Sequence, residues 1–475
     1  MLNHVPKRWL ALFVLCLGDL MIVLDGTIVN VALPSIREAL GFSQTGLVWV
    51  VNAYLLTFGG FLLLSGRLGD LFGARRIFLI GIALFTASSV LCGFSGSQEM
   101  LIIARAIQGI GGAVVSAIAL ALTMQLFTVP AERARAMGIF AFVMSGGGAV
   151  GVLLGGLLTS AFDWHSIFLV NLPVGVVVFL AAVLLLPKNE PTERSSKIDF
   201  AGALTITSAL ILANYAIVGG NEAGWYSFQT LGLLLVSFML LGLFVFIESV
   251  VKHPLVPLSL FKVRSVAVSN VVGVLWAAAM FAWFMISALY LQAILGYTPL
   301  QVGLSFLPAN LIMGFLSYDL SAKLVTNYGI KKPLGAGLSL AALGLLSFAF
   351  APVGGSYVMH VLPGMLLLGI GGGIAFNPVL LAAMNDVPEH ESGLASGLVN
   401  TSFMMGGAVG LAVLAAFAAS TTAGLLASGA TSISALNAGY HSAFLLGAFA
   451  AALAAVIGVS FLKIDKLAAH AHGGQ

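Results

Sequence analysis

Leu24-Asp25-Gly26-Thr27-Ile28-Val29-Asn30-Val31-Ala32-Leu33-Pro34 closes an apolar run, 9–34, that is long enough to cross a bilayer as a helix and that carries a carboxylate deep inside it. An acid at membrane depth is costly, and its default reading is a site for an ion or a proton. The composition around it supports that depth. Of 475 residues, 60% are hydrophobic and 8% are charged, with a mean hydropathy of +1.08. A soluble domain carries about 25% charged residues, so the chain reads as a polytopic, all-α membrane protein. The net charge of +3 calls for no nucleic-acid partner.

Polar breaks divide the chain into fourteen apolar tracts: 9–34, 46–65, 76–95, 100–127, 137–160, 166–186, 200–218, 228–248, 266–290, 301–322, 334–352, 358–384, 394–418 and 440–462. The first follows Lys7 and Arg8 but has no small-residue cleavage site and is too long for a signal peptide, so it counts as span 1. With the N-terminus in the cytoplasm, 18 of the 20 Lys and Arg fall in inner loops and tails, Arg37 falls outside and Arg105 lies in the membrane. That bias follows the positive-inside rule and expects both termini in the cytoplasm. Cys16 and Cys92 sit in apolar stretches, and His470 and His472 on the tail make a poor site, so neither a disulfide nor a metal is expected.

The chain repeats itself at an offset of 256 to 260 residues. Gly147-Gly148-Ala149-Val150-Gly151 recurs as Gly406-Gly407-Ala408-Val409-Gly410, and Gly109-Ile110-Gly111-Gly112 as Gly369-Ile370-Gly371-Gly372. Gly66-Arg67-Leu68-Gly69-Asp70-Leu71-Phe72-Gly73-Ala74-Arg75-Arg76 has a degraded copy in Ala322 to Lys332. Spans 1–6 therefore match spans 9–14 in the same orientation, with spans 7 and 8 in neither copy. This predicts two six-helix bundles, 1–190 and 256–475, joined by a linker and two-helix insert at 191–255. Repeats of this kind mark carriers whose substrate site lies between the halves near the midplane.

Several of these stretches resemble motifs of the major facilitator superfamily, and together they resemble its fourteen-helix drug/proton antiporter branch. Asp25 to Pro34 is similar to that branch's first-helix signature. The Gly66 to Arg76 loop resembles the superfamily's gating motif, with Leu71 and Ala74 where many members are basic. In it, Gly66, Asp70, Gly73, Arg75 and Arg76 are the gating residues, and Asp70 is expected to latch the inner side against the positive end of span 13 near Ser392-Gly393. Arg105 with Gln108 follows the fourth-helix pattern, and Trp164 to Pro173 the sixth. Gly138, Gly147, Gly151, Gly155 and Gly156 match the antiporter motif, with Val152 in place of its usual proline. The resemblance implies proton-driven export of drugs, biocides or related amphiphiles from a bacterial cell by alternating access. It implies a plasma-membrane monomer powered by the proton gradient, without a cofactor, and with a periplasmic adaptor if the cell is Gram-negative.

Arg105 lies roughly 8 Å below the outer end of its span and Asp25 roughly 13 Å below its own, depths that allow a pair. Proton binding would then have to weaken that pair, a physical route to coupling. Asp25 is expected in apolar, carbonyl-free surroundings. Asp19 lies about 120° around span 1 from Asp25, so the two acids cannot share one partner. Asp319, near Lys323, is the acid well inside a C-terminal-half span and completes the proton-coupling candidates. A cavity for cationic or amphiphilic substrates needs aromatic faces and adaptable walls. Trp276, Phe281, Trp283 and Tyr290 can supply rings, and Asn30, Tyr54, Asn310, Asn377 and Asn400 neutral hydrogen-bonding groups. No His, Cys or Ser/His cluster suggests an enzyme, and a channel would not need two gated halves. An exporter of an endogenous lipid, siderophore or antibiotic and a proton-coupled importer are the alternatives, and the fifth-span glycines argue against the importer.

Overall fold

The computed structural model describes residues 7–187, 199–252, 254–387 and 392–462, and among these the chain is helical almost throughout, with no strand. Fourteen long helices follow one another: α1 Lys7–Leu40, α2 Val48–Phe72, α3 Ala74–Gly93, α4 Gln98–Leu126, α5 Pro130–Ala161, α6 Ser166–Leu185, α7 Phe200–Ala223 and α8 Phe228–Val250. They continue as α9 Arg264–Ala293, α10 from Pro299–Phe315 through a π turn to Tyr328, α11 Lys331–Phe348, α12 Leu362–Asn385, α13 Ser392–Ala427 and α14 Ser432–Phe461. Eleven of the helices are by themselves long and apolar enough to cross a membrane. The first helix does not stop at Pro34 but carries it inside and runs on to Leu40.

The start of α1, with Lys7 and Arg8, and the turns holding Arg75, Arg76, Lys331 and Lys332 define a basic face. Helices that begin at the opposite face are mostly capped by hydroxyls: Ser97, Ser227 and Thr298 each accept from a backbone N–H one turn on. Those caps satisfy donors that neither lipid nor the helix itself can. α8 presents most of its length outward, with Leu235, Phe238, Met239 and Phe246 exposed, as a helix against lipid should.

The repeat read from the sequence reappears as equivalent packing. Gly73 (φ 90°) closes the α2–α3 turn and Gly329 (φ 74°) the α10–α11 turn, a conformation that side-chain-bearing residues resist. A Cβ on Gly147 would meet Leu20 and Val23 of α1 at 2.9 Å, and one on its counterpart Gly406 would meet Val274 of α9 at 2.8 Å. One on Gly151 would come within 2.1 Å of Thr27 in α1, and one on Gly410 within 2.1 Å of Ala278 in α9. The α1–α5 and α9–α13 contacts are thus built by the same small residues, which let backbones approach where lipid supplies no hydrophobic drive.

The two helix sets meet along two antiparallel seams. In the first, α2 lies on α13: Asn52 donates to the Ala408 carbonyl at 2.8 Å, a Cβ on Gly59 would sit 2.8 Å from Met405, and one on Gly397 2.9 Å from Leu63. In the second, α5 lies on α10: a Cβ on Gly303 would meet the Val152 carbonyl at 2.8 Å, one on Gly156 the Pro299 carbonyl at 2.6 Å, and Leu300 N donates to Ser160 Oγ at 3.1 Å. Exchanging the two sets turns one seam into the other. α7 breaks this symmetry by packing on both α2 and α13, where Asn52 also donates to Asn214 Oδ1 at 2.8 Å.

Candidate functional site

Asp25 sits near the middle of α1 and is fully buried. Far from being apolar, its surroundings are a set of donors from two helices, α4 and α6. Arg105 Nη1 of α4 donates to Asp25 Oδ2 in an ion pair, and also to Gln108 Oε1 at 2.7 Å. Gln108 Nε2 donates to Asp25 Oδ1 at 2.7 Å, and Asn171 Nδ2 at the start of α6 donates to the same oxygen at 3.2 Å. Asn171 Nδ2 also donates to Ser89 Oγ of α3 at 2.9 Å, and Arg105 Nε to the Val50 carbonyl of α2 at 3.0 Å. The guanidinium lies 4.3 Å from the centre of the Tyr54 ring and 5.7 Å from that of Phe168.

Groups of five helices, α1, α2, α3, α4 and α6, therefore meet in one network around this carboxylate. Burying two charges is repaid only when geometry is good and the remaining lone pairs are met, and here both oxygens of Asp25 have donors. Protonating Asp25 would remove the negative charge that the Arg105 guanidinium now faces, and with it the ion pair.

Asp19, six residues earlier on α1, is equally buried, and neither of its oxygens has a hydrogen-bond partner. It stays apart from Arg105 and has Ser116 of α4 as its neighbour. Asp319 falls in the π turn Leu316–Leu320 of α10, and its side chain lies outside the described residues. The surroundings of Gly138 are also outside them; Gly147, Gly151 and Gly155 all face α1, and Gly156 faces α10.

The proposed substrate residues do not share one wall. Trp276 and Asn400 do, lining a slot of about 10 Å³ with Phe376, Val379, Val399 and Phe403, room for about one water. Phe281 adjoins it through Phe403, ring centres 5.9 Å apart. Trp283 packs instead with Phe284 and Phe306, and the Tyr290 hydroxyl donates to the Pro352 carbonyl at 3.1 Å. Asn377 donates to the Ser317 carbonyl at 2.7 Å, while Asn30 donates back to Gly26 of its own helix at 3.2 Å. Asn310 is buried with neither amide atom partnered, as are the indole nitrogens of Trp276 and Trp283.

In the basic loop, Gly66 has open space where a Cβ would stand, Asp70 and Arg75 are half-buried, and Arg76 is exposed. Arg75 donates to the Val183 carbonyl of α6, tying the α2–α3 turn to a neighbouring helix. The Ser392 side chain and the surroundings of Gly393 lie outside the described residues. The antiparallel register of α2 on α13, extended from Leu63–Gly397, brings Asp70 level with the start of α13.

The model of the Major Facilitator Superfamily matches residues 15–411. The chain belongs to this superfamily. The puromycin resistance protein pur8 of Streptomyces alboniger is 38% identical over 429 residues, 90% of this chain and 85% of the relative. The multidrug resistance protein Stp of Mycobacterium tuberculosis is 37% identical over 398 residues, 84% of this chain and 73% of the relative. Among solved structures, the POT family transporter PepTSo superposes with a TM-score of 0.69 at 15% identity, covering 95% of this chain and 98% of that one. That likeness concerns the fold alone.

From sequence Asn171 was read only as part of the Trp164 to Pro173 stretch, with no site role, and Ser89 was not singled out. A neutral amide opening an apolar helix reads as a cap, and its role shows only when α1, α3 and α6 are brought together.

Proposed function

We propose that this membrane transporter is a proton-coupled antiporter that exports drugs, biocides or related amphiphilic compounds by alternating access. The observation that carries the coupling is the buried Asp25–Arg105 pair, because a proton on the carboxylate removes the charge that holds the guanidinium. The resistance proteins to which the chain is similar support the direction and class of cargo, since a carrier confers resistance by moving a toxic compound out. The basic face is the cytoplasmic one, with both termini inside the cell, on the positive-inside rule. The unpartnered Trp276 indole, which lines the slot with Asn400, and the unpartnered Asn310 amide suit a cargo with aromatic and hydrogen-bonding parts.

Seams α2–α13 and α5–α10 supply the two surfaces on which the halves rock. Asp70, level with the start of α13, latches the cytoplasmic side when that seam is closed, its charge favoured by the helix N-terminus.

The test uses purified protein in liposomes with an imposed pH gradient and a fluorescent cationic dye. Dye movement should follow the gradient and stop when an ionophore collapses it. Asp25→Asn should insert normally and lose gradient-driven movement, while dye movement indifferent to the gradient would overturn the coupling. A susceptibility panel in an efflux-deficient strain separates broad export from the export of a single antibiotic, the second reading that the puromycin resistance relative favours.

A further inference from the structure

Away from the Asp25 network, a second pair of acids is buried at the basic face, where the two-helix insert begins and ends. Asp199 precedes α7 and caps it, its Oδ1 accepting from Gly202 N at 2.7 Å. Among the described residues it is the side-chain cap at a helix start on that face, the starts of α3, α5, α9 and α11 having none. Glu248 stands in the last turn of α8, and its Oε2 accepts from Val256 N, in the connector ahead of α9, at 2.9 Å. Asp199 is 5% exposed and Glu248 4%.

Each acid keeps one further oxygen, Asp199 Oδ2 and Glu248 Oε1, and both are buried without a hydrogen-bond partner. Both oxygens converge on one point. A Cβ on Gly202 would lie 2.5 Å from Asp199 Oδ2 and 2.6 Å from Glu248 Oε1. The two oxygens are thus no more than about 5 Å apart, within the range where one carboxylate disfavours the charge of another.

No Lys or Arg among the described residues relieves that repulsion by an ion pair. Just past the end of α8, Lys252 is exposed; in the connector, Lys262 is exposed; on α9, Arg264 is exposed and donates to the Phe461 carbonyl. Arg67 and Asp70 stand at the end of α2, whose Leu64 packs in the same cluster as Ala203 of α7. Lys197 and His253 lie outside the described residues.

Two bare carboxylates side by side in a buried site are costly. One proton between them removes the conflict: it gives Oδ2 and Oε1 each a partner, and leaves one negative charge facing the Gly202 and Val256 N–H groups and the positive end of α7. A divalent cation fits less well. Calcium and magnesium take about six or more oxygen ligands, and no third acid, His or Cys joins the pair among the described residues.

We propose that Asp199 and Glu248 form a proton-binding dyad that clasps the two-helix insert to the connector leading into α9. The clasp is closed while the proton is bound and opens as rising pH removes it. Its place gives the opening a consequence, because the adjoining cluster of Leu64, Ala203, Leu255, Val266, Val387 and Leu398 joins the insert to helices of both repeats. The dyad does not depend on what the protein transports.

Hydrogen–deuterium exchange on the full chain in lipid nanodiscs, over a pH series, tests this. In the wild type, amides over 199–205 and 254–260 should exchange faster at alkaline pH than the intrinsic pH dependence of exchange accounts for. Glu248→Gln places an N–H donor where the proton sits, so that excess should vanish, and Asp199→Asn does the same from the other side. Equal excess in wild type and both variants overturns the dyad. So does suppression of the wild-type excess by added calcium or magnesium, which would make the pair a cation site.

Discussion

Asp25 and Arg105 were legible in the sequence because a charge in hydrocarbon demands a partner, and each span offered few. What no spacing revealed is that neutral amides complete the site. Asn171 holds one oxygen of Asp25 and, through the same nitrogen, Ser89. Asn171→Ala should leave insertion intact and lower stability by about 1–3 kcal/mol, the cost of an under-satisfied buried polar group, read as a fall in melting temperature. Arg105→Ala removes the partner of a buried charge, a loss of about 3–5 kcal/mol. It should abolish gradient-driven export, whereas wild-type pumping by that variant in liposomes would show that the pair serves packing alone. The acids could be listed from the sequence but not ranked: Asp19 is as deeply buried as Asp25, with Ser116 rather than a cation beside it.

At the scale of the helix, the fourfold spacing of Gly147, Gly151 and Gly155 was visible, but whether it meant close packing or something more was not. The structure sets all three against α1. Gly155→Ala would place a Cβ 2.7 Å from the Ile28 carbonyl oxygen, a backbone atom that cannot swing aside, while Gly148→Ala has nothing within 4 Å. Thermal unfolding in detergent should show a loss of about 1–3 kcal/mol for the first and almost none for the second. Equal losses would mean that α1 and α5 do not pack closely at Gly155. Less legible was α10, read from sequence as one span over 301–322. It runs on to Tyr328 through a π turn, and side chains bridge that turn to α12: Asn377 donates to the Ser317 carbonyl, and Ser317 Oγ to the Gly373 carbonyl at 3.1 Å. A helix can carry such an insertion where a neighbour takes up the displaced backbone groups, and that neighbour is distant in sequence.

Across the whole molecule, the fourteen helices and the internal repeat followed from hydropathy and from glycines at matching offsets, since both are properties of local sequence. The seams were not legible, because they join residues more than a hundred positions apart whose side chains are individually unremarkable. Transport by rocking requires the seams to separate in turn. Cysteines introduced at Leu63 and Gly397 and bridged by a short bifunctional reagent should arrest dye export, with activity restored by cleaving the bridge. A pair at Gly156 and Leu300 should do the same for the second seam. Full activity with either pair bridged would show that the helices do not part there.

The placement of α7 has a consequence for how an oily solute arrives. One seam is roofed on its membrane side by α7, which is stitched to it through Asn52 and Asn214 and again where Asn221 donates to the Ala416 carbonyl at 2.7 Å. No comparable packing joins the insert to the α5–α10 seam among the described residues. For a carrier that took its cargo sideways from the bilayer, the α5–α10 flank would be the one that the insert leaves uncovered.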